Sequence, residues 1–203
     1  MTINRRLALA LSGSLFLASC ASNLQMGLDA GRAGNYQAML TYCKAASEEP
    51  NPSPEVFECI GDAHLRLGHR KEAEQAYLTY LDLVPNDTRV RKKLIQLYMS
   101  DGRHQAAQPQ VETLLQLDPG DPEGYYWMGE IHRLNGICKA SVEAYKKALS
   151  IRPDYFAAKA GLEKVEKEVC GRETKPKPKP KKPRVIKEKT FRGGGAVIKE
   201  GQW

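Results

Sequence analysis

Apolar and polar positions alternate along this chain with two superposed spacings, one helical and one much longer. Residues 155–169 carry Phe156, Leu162, Val165 and Val169 at helical spacing, with Lys and Glu on the opposite face, which predicts an amphipathic helix. Over the longer distance, Gly27, Gly61 and Gly129 are separated by 34 and by twice 34 residues. Gly34, Gly68, Gly102 and Gly136 recur at 34 without a gap, and so do Pro85, Pro119 and Pro153. A fixed period of this length means one supersecondary unit copied in tandem. Three coincident periodicities separate this pattern from an amphipathic bundle without repeats. No strand is predicted in the repeated body.

The residues in this register resemble the tetratricopeptide repeat, a helix–turn–helix unit of 34 residues. Counting from the start of each unit, 54–87 supplies Phe57, Ile60, Gly61, His64, Ala73, Tyr77, Tyr80 and Pro85 at the family's favoured positions. Unit 122–155 supplies Tyr125, Met128, Gly129, His132, Ser141, Tyr145, Ala148 and Pro153. Unit 88–121 is looser, with Arg91, Leu94, Ile95, Tyr98, Ala107, Val111, Leu114 and Pro119. An earlier unit, 20–53, keeps Met26, Gly27, Ala30 and Gly34 but has Met39 and Cys43 at positions 20 and 24, and its proline arrives late, at Pro52. The resemblance implies an all-α fold: a right-handed solenoid of four hairpins over 20–155, closed by a capping helix, 156–170. Gly at position 8 lets two helices cross closely, Gly at the end of each first helix suits a left-handed C-cap, and the prolines stop the second helices. Asn86-Asp87 and the run 118–122 supply turn and N-cap chemistry.

The amino end reads as a targeting segment, 1–19. Arg5 and Arg6 precede an uncharged apolar run, 7–17, too short for a stable membrane span. It ends in Leu17-Ala18-Ser19-Cys20, which resembles a bacterial lipobox and implies cleavage before Cys20 and acylation of that residue. Several acyl chains on one residue anchor stably. Ala21 rather than Asp after the cysteine implies the outer membrane, facing the periplasm.

An oxidising compartment changes the reading of the other cysteines, Cys43, Cys59, Cys138 and Cys170. Four cysteines allow three pairings. In the register of the resemblance, Cys43 and Cys59 lie level on adjacent antiparallel helices, and Cys138 and Cys170 do too. The expected bonds are therefore Cys43–Cys59 and Cys138–Cys170, one at each end of the array.

Composition shifts abruptly after Gly171. Residues 174–180 alternate Lys with Pro, which excludes helix and favours extended polyproline II. Residues 171–203 hold eleven Lys and Arg against three acids, whereas 20–170 hold eighteen against twenty-one. The chain's net charge of +7 is thus a property of a disordered, basic tail. An exported lipoprotein meets no nucleic acid, so the tail's partners are an anionic polymer or an acidic protein. Val185-Ile186-Lys187-Glu188 and Val197-Ile198-Lys199-Glu200 flank a Gly193-Gly194-Gly195 hinge and suit addition to a partner's sheet edge, with Trp203 as an aromatic anchor.

The resemblance places the concave face at positions 2, 5, 9, 12 and 13. These are Glu55, Glu58, Asp62 and Arg66; Arg89, Lys92, Gln96 and Met99; Glu123, Tyr126, Glu130 and Arg133. The face reads as an acidic patch, a basic patch and an aromatic, suited to a mixed-charge peptide. Of the family's carboxylate-clamp pattern only Lys92 is matched. No catalytic, metal or cofactor motif is expected: no His pair stands at i, i+4 with Glu, no Cys-x-x-Cys occurs, and His64 and His132 sit at a packed helix-interface position. The layout of signal, lipid-bearing cysteine and short repeat array resembles pilotins and tight-adherence pilus lipoproteins. It implies a non-enzymatic adaptor in pilus or secretion assembly, or an envelope tether acting through the tail.

Overall fold

The computed structural model describes residues 22–170. The expectations for Cys20 and the segment before it, for the tail 171–203, and for the side chain of Val169 lie outside the described residues. Nine α-helices follow one another among the described residues: α1 (Asn23–Arg32), α2 (Tyr36–Ser47), α3 (Glu55–Arg66), α4 (Arg70–Leu83), α5 (Thr88–Ser100), α6 (His104–Leu117), α7 (Pro122–Leu134), α8 (Cys138–Ile151) and α9 (Phe156–Val165). Four consecutive hairpins stack into a solenoid, and α9 packs on α8 and α7. The first helices form the inner layer, α1 touching α3 and α7 touching α9.

Local chemistry explains where the helices begin and turn. Ser22, Asn35, Asp87 and Asp121 accept backbone N–H bonds at the starts of α1, α2, α5 and α7. Gly34, Gly68, Gly102 and Gly136 have φ between 70° and 82°, the left-handed conformation that ends the first helix of each hairpin. The period in the sequence is therefore the period of a backbone requirement.

Within each hairpin, positions 8 and 24 face each other and must share a fixed volume. A Cβ at Gly61 would stand 2.5 Å from the Tyr77 ring, and one at Gly129 would stand 2.8 Å from the Tyr145 ring. A Cβ at Gly27 would meet the Cys43 sulfur. The third hairpin solves the same packing differently: Ile95 replaces glycine and Val111 replaces tyrosine, and both are fully buried. The loose match of unit 88–121 is thus a compensated exchange. Position 20 shows a smaller version. Ser141 is fully buried where Ala73 and Ala107 stand in earlier hairpins, and its hydroxyl donates to the Gly129 carbonyl at 2.8 Å.

The capping helix departs from expectation in two ways. Phe156, expected on its apolar face, is 80% exposed. The buried face is Ala158, Gly161 and Val165, with Leu162 half-buried; Phe156 lies two residues earlier than Ala158, about 200° around the helix. A Cβ at Gly161 would stand 2.5 Å from the Tyr145 ring, so glycine lets α9 close over that side chain. The last five residues, Glu166–Cys170, wind as a π-helix rather than continuing the α-helix. Cys43 is bonded to Cys59 and Cys138 to Cys170, with Cα atoms 6.0 and 5.2 Å apart. The first bond joins hairpins one and two in the core, and the second ties the capping segment to α8.

Candidate partner-binding groove

Residues from α1 to α5 line a groove of about 840 Å³ along the inner layer. Its apolar wall is Leu28, Tyr36, Met39 and Leu65, and its polar lining includes Asp62, Arg66, Arg70, Lys93 and Gln96. A smaller hollow of about 320 Å³ continues from it at Lys93 and Gln96, bounded by Lys92, Glu123, Tyr126, Trp127 and Tyr155. Asp62, Arg66, Lys92, Glu123 and Tyr126 thus line one of the two spaces, and Gln96 lines both. Glu55 is exposed in the first turn of α3. Met99 corrects the expectation: it is half-buried against the middle core cluster, and Ser100, one residue on, lines the groove instead.

The acidic and basic patches also need correction, because they neutralise each other. Neighbouring first helices in packed pairs run about 8–10 Å apart, within reach of two long side chains. Glu58 is ion-paired to Arg89 of the next hairpin, and Lys93 reaches both Glu58 at 2.7 Å and Asp62 at 2.6 Å. Lys92 binds Asp121 and, at 3.2 Å, Glu123. Glu130 holds Arg133 at 2.7 Å, and Arg133 lies 3.8 Å from Glu168 beyond α9. Lys93 is absent from the five positions, yet it links two acids here. The signal was available: its partners lie 31 and 35 residues away, close to one repeat length.

Tyrosines from the second helices prop this network from beneath. Tyr77 donates its hydroxyl to Asp62 at 2.7 Å, and Tyr145 donates to Glu130. Burial, reinforced by these carboxylates, pushes both phenols well above the ordinary range. The same contacts tune the acids. Burial works against the charged form of Glu58, but hydrogen bonds from Arg89 and Lys93 outweigh it and hold its pKa below the usual value. For Glu130 burial is likewise outweighed, by Arg133 and Tyr145. For Glu74 the Arg103 hydrogen bond is the largest influence.

A carboxyl whose folded pKa lies below its unfolded one stabilises the fold fully above the unfolded pKa and loses that contribution as pH falls through the folded value. Glu58, Glu74 and Glu130 start from 4.5 and Asp87 from 3.8, all lowered. Burial also lowers the pKa of His64 from 6.5, so thermal unfolding should begin to shift to lower temperature below about pH 6.5 and shift further below about 4.5 as these carboxyls protonate. A melting temperature unchanged from pH 6 to pH 3 would show that these pairs carry no net stability.

His64 is buried, and its Nδ1 lies 3.3 Å from Nδ1 of His69, within the second hairpin. Among the described residues no group of three or more His, Cys, Asp or Glu is placed to hold a metal, and no helix is long and apolar enough to cross a membrane.

Against known proteins, the tetratricopeptide repeat family model matches residues 59–107 and 92–156. The chain is similar to the crystal structure of MamA protein, with a TM-score of 0.65 at 18% identity, covering 71% of this chain and 79% of that one. It is similar to YrrB, described as a TPR protein with an unusual peptide-binding site, with a TM-score of 0.63 at 20% identity, covering 70% of this chain and 73% of that one. Anaphase-promoting complex subunit 7 of Arabidopsis thaliana is 26% identical over 136 residues, 66% of this chain; the chain spans 24% of that protein. Residues 59–156 therefore match the tetratricopeptide repeat family model, and the solved structures share the fold.

Proposed function

We propose that this tetratricopeptide-repeat chain is a membrane-anchored adaptor that grips a peptide segment of a partner along its inner face and does no covalent chemistry. The supporting observation is the groove itself, an apolar wall opposite charges already held in place by their neighbours across repeats. A ligand strand meets side chains whose ordering cost was met on folding, so less affinity is lost on association. Glu55, Glu58, Asp62, Arg66, Arg89, Lys92, Gln96, Glu123, Tyr126, Glu130 and Arg133 form or support that face. Lipid on Cys20, two residues before the cap of α1, would hold the body against the outer membrane on its periplasmic side.

A photoactivatable side chain placed at Gln96, which lines both spaces, should give adducts in cells that are absent when it is placed at the exposed Lys146 of α8. The adducts should sediment with membranes, and Cys20→Ser should release them to the soluble fraction. Equal labelling at both sites would remove the groove reading, and unchanged sedimentation of the serine variant would remove the anchor. Assembly of a pilus or secretion channel is the proposed context, and normal assembly in a deletion strain would refute it. A second reading, tethering to an anionic envelope polymer, is favoured by the segregation of positive charge into 171–203. Purified sacculi should then retain the full chain and not one lacking that segment.

A further inference from the structure

The larger hollow of the groove holds one charge that its neighbours leave unmatched. Of the cations that line it, Arg32 is paired with Asp29, Arg70 with Asp101, and Lys93 with Asp62 and with Glu58, which also pairs with Arg89. Arg66 lines the same hollow and has no ion pair or hydrogen bond among the described residues. Asp62, one turn back on α3, is the partner that helical spacing offers it. That carboxylate is already taken. Its Oδ1 accepts from the Tyr77 hydroxyl at 2.7 Å and from Lys93 Nζ at 2.8 Å, and its Oδ2 accepts from Lys93 Nζ at 2.6 Å. The Arg66 guanidinium stands instead 5.7 Å from the centre of the Tyr36 ring, a cation–π distance. Ser100 and Leu134 occupy its register in the next two hairpins, so the second hairpin alone of these three places a cation there.

Tyr36 joins that charge to apolar surface. Leu28, Met39 and Leu65 line the same hollow, and Leu65 precedes Arg66 in the chain. A Cβ at Gly31 would stand 2.7 Å from the Met39 sulfur, so the glycine lets the thioether lie against α1. An unbranched, polarisable side chain of this kind reshapes around an apolar group more readily than a branched one. The site thus sets an adaptable apolar wall, an aromatic face and a planar cation side by side. A guanidinium offers a rigid fork of donors that matches a carboxylate with two parallel bonds, and stacking on a ring holds the fork in place.

We propose that the segment gripped here is an acidic–apolar one: an internal stretch of a partner protein in which Asp or Glu stands beside, or next but one to, Leu, Met or Phe. Its carboxylate sits on Arg66 and its apolar side chain on the wall of Leu28, Met39 and Leu65. This deepens the reading of the inner face as the partner site and rests on it. The other cations of the hollow are held by their own counter-ions, so Arg66 sets the charge preference.

Random peptides displayed between fixed flanking residues, with no free chain end in the library, can be selected on the full-length chain. The acidic–apolar pairing should be enriched over the starting library. Replacing the acid of a selected peptide by its amide should weaken binding by about tenfold, within the range for a hydrogen bond to a charged group. The same replacement should no longer weaken binding to Arg66→Gln, an exposed position where circular dichroism should show the helices retained. Lys146→Gln, on the exposed face of α8, should keep the full loss. Segment 171–203 is present in every arm, so its general attraction for acids cannot produce the difference. No enrichment, selected peptides without the acid, or an amide effect as large in Arg66→Gln as in the unaltered chain would each overturn the proposal. Selected peptides that lack the acid yet crosslink from Gln96 would keep the partner groove and remove only this preference. Crosslinking from Lys146 instead would remove both.

Discussion

Tyr145→Ala will destabilise the C-terminal half of the solenoid by about 3–5 kcal/mol, the range for truncating a buried aromatic side chain. The ring is fully buried and fills the space left by two glycines on different helices, Gly129 of α7 and Gly161 of α9. Neither glycine has a side chain to move into the void, so the cavity cannot collapse without shifting a helix. The substitution also removes the hydroxyl that Glu130 accepts, leaving that carboxylate to Arg133 alone. Urea denaturation followed by circular dichroism measures the loss, and a change below about 1 kcal/mol would show that the site repacks freely. The third hairpin supplies the control. Gly129→Ile with Tyr145→Val reproduces its Ile95–Val111 pair and should be more stable than Gly129→Ile alone by at least about 1 kcal/mol, the lower end of overpacking costs.

Cys138→Ser with Cys170→Ser will cost about 4 kcal/mol in the chain-entropy picture for a bond spanning 32 residues. Loss of Cys43–Cys59, spanning 16, will cost about 3 kcal/mol. The two will differ more in kind than in size. Cys43 and Cys59 are 0% and 1% exposed, whereas Cys138 and Cys170 are partly exposed. Access to the attacking thiolate limits exchange, so mild reductant should open the C-terminal bond first. Differential alkylation with mass spectrometry reads the order, and simultaneous opening would contradict it. Hydrogen exchange after the first opening should rise in 156–170 and not in α2 or α3, because the end of a solenoid contacts one neighbour only.

The fold was legible because its landmarks are backbone requirements. A left-handed turn at Gly34, Gly68, Gly102 and Gly136 admits few substitutes, so the period survives even where side chains vary. Ile95 looks like a missing landmark when position 8 is read alone and like an intact one when read with Val111. Phe156 misled because a helical spacing of four apolar residues does not say which of them starts the buried stripe; the small residues Ala158 and Gly161, facing Tyr145, decide that. The groove was legible as a face and illegible as a charge distribution. Its register placed Glu58, Asp62, Arg89 and Lys92 on one surface, but pairing depends on heights along neighbouring helices. Lys93, one position off the expected set, is closer to both acids' level than the pattern allowed.

Ion pairs reach from the second hairpin to the third and from the third to the fourth: Glu58 to Arg89 and Lys93, Arg70 to Asp101, Glu74 to Arg103, and Lys92 to Asp121 and Glu123. The hairpins are therefore not interchangeable beads. Excising 88–121 would keep every backbone landmark in phase yet set Glu123 where Arg89 stood and Trp127 where Lys93 stood, acid against acid and an indole against two carboxylates. Evolution by duplication or loss of a hairpin is open to a neutral solenoid, but here the third and fourth units carry the counter-ions of the unit before them. The order of the copies is written in their charges.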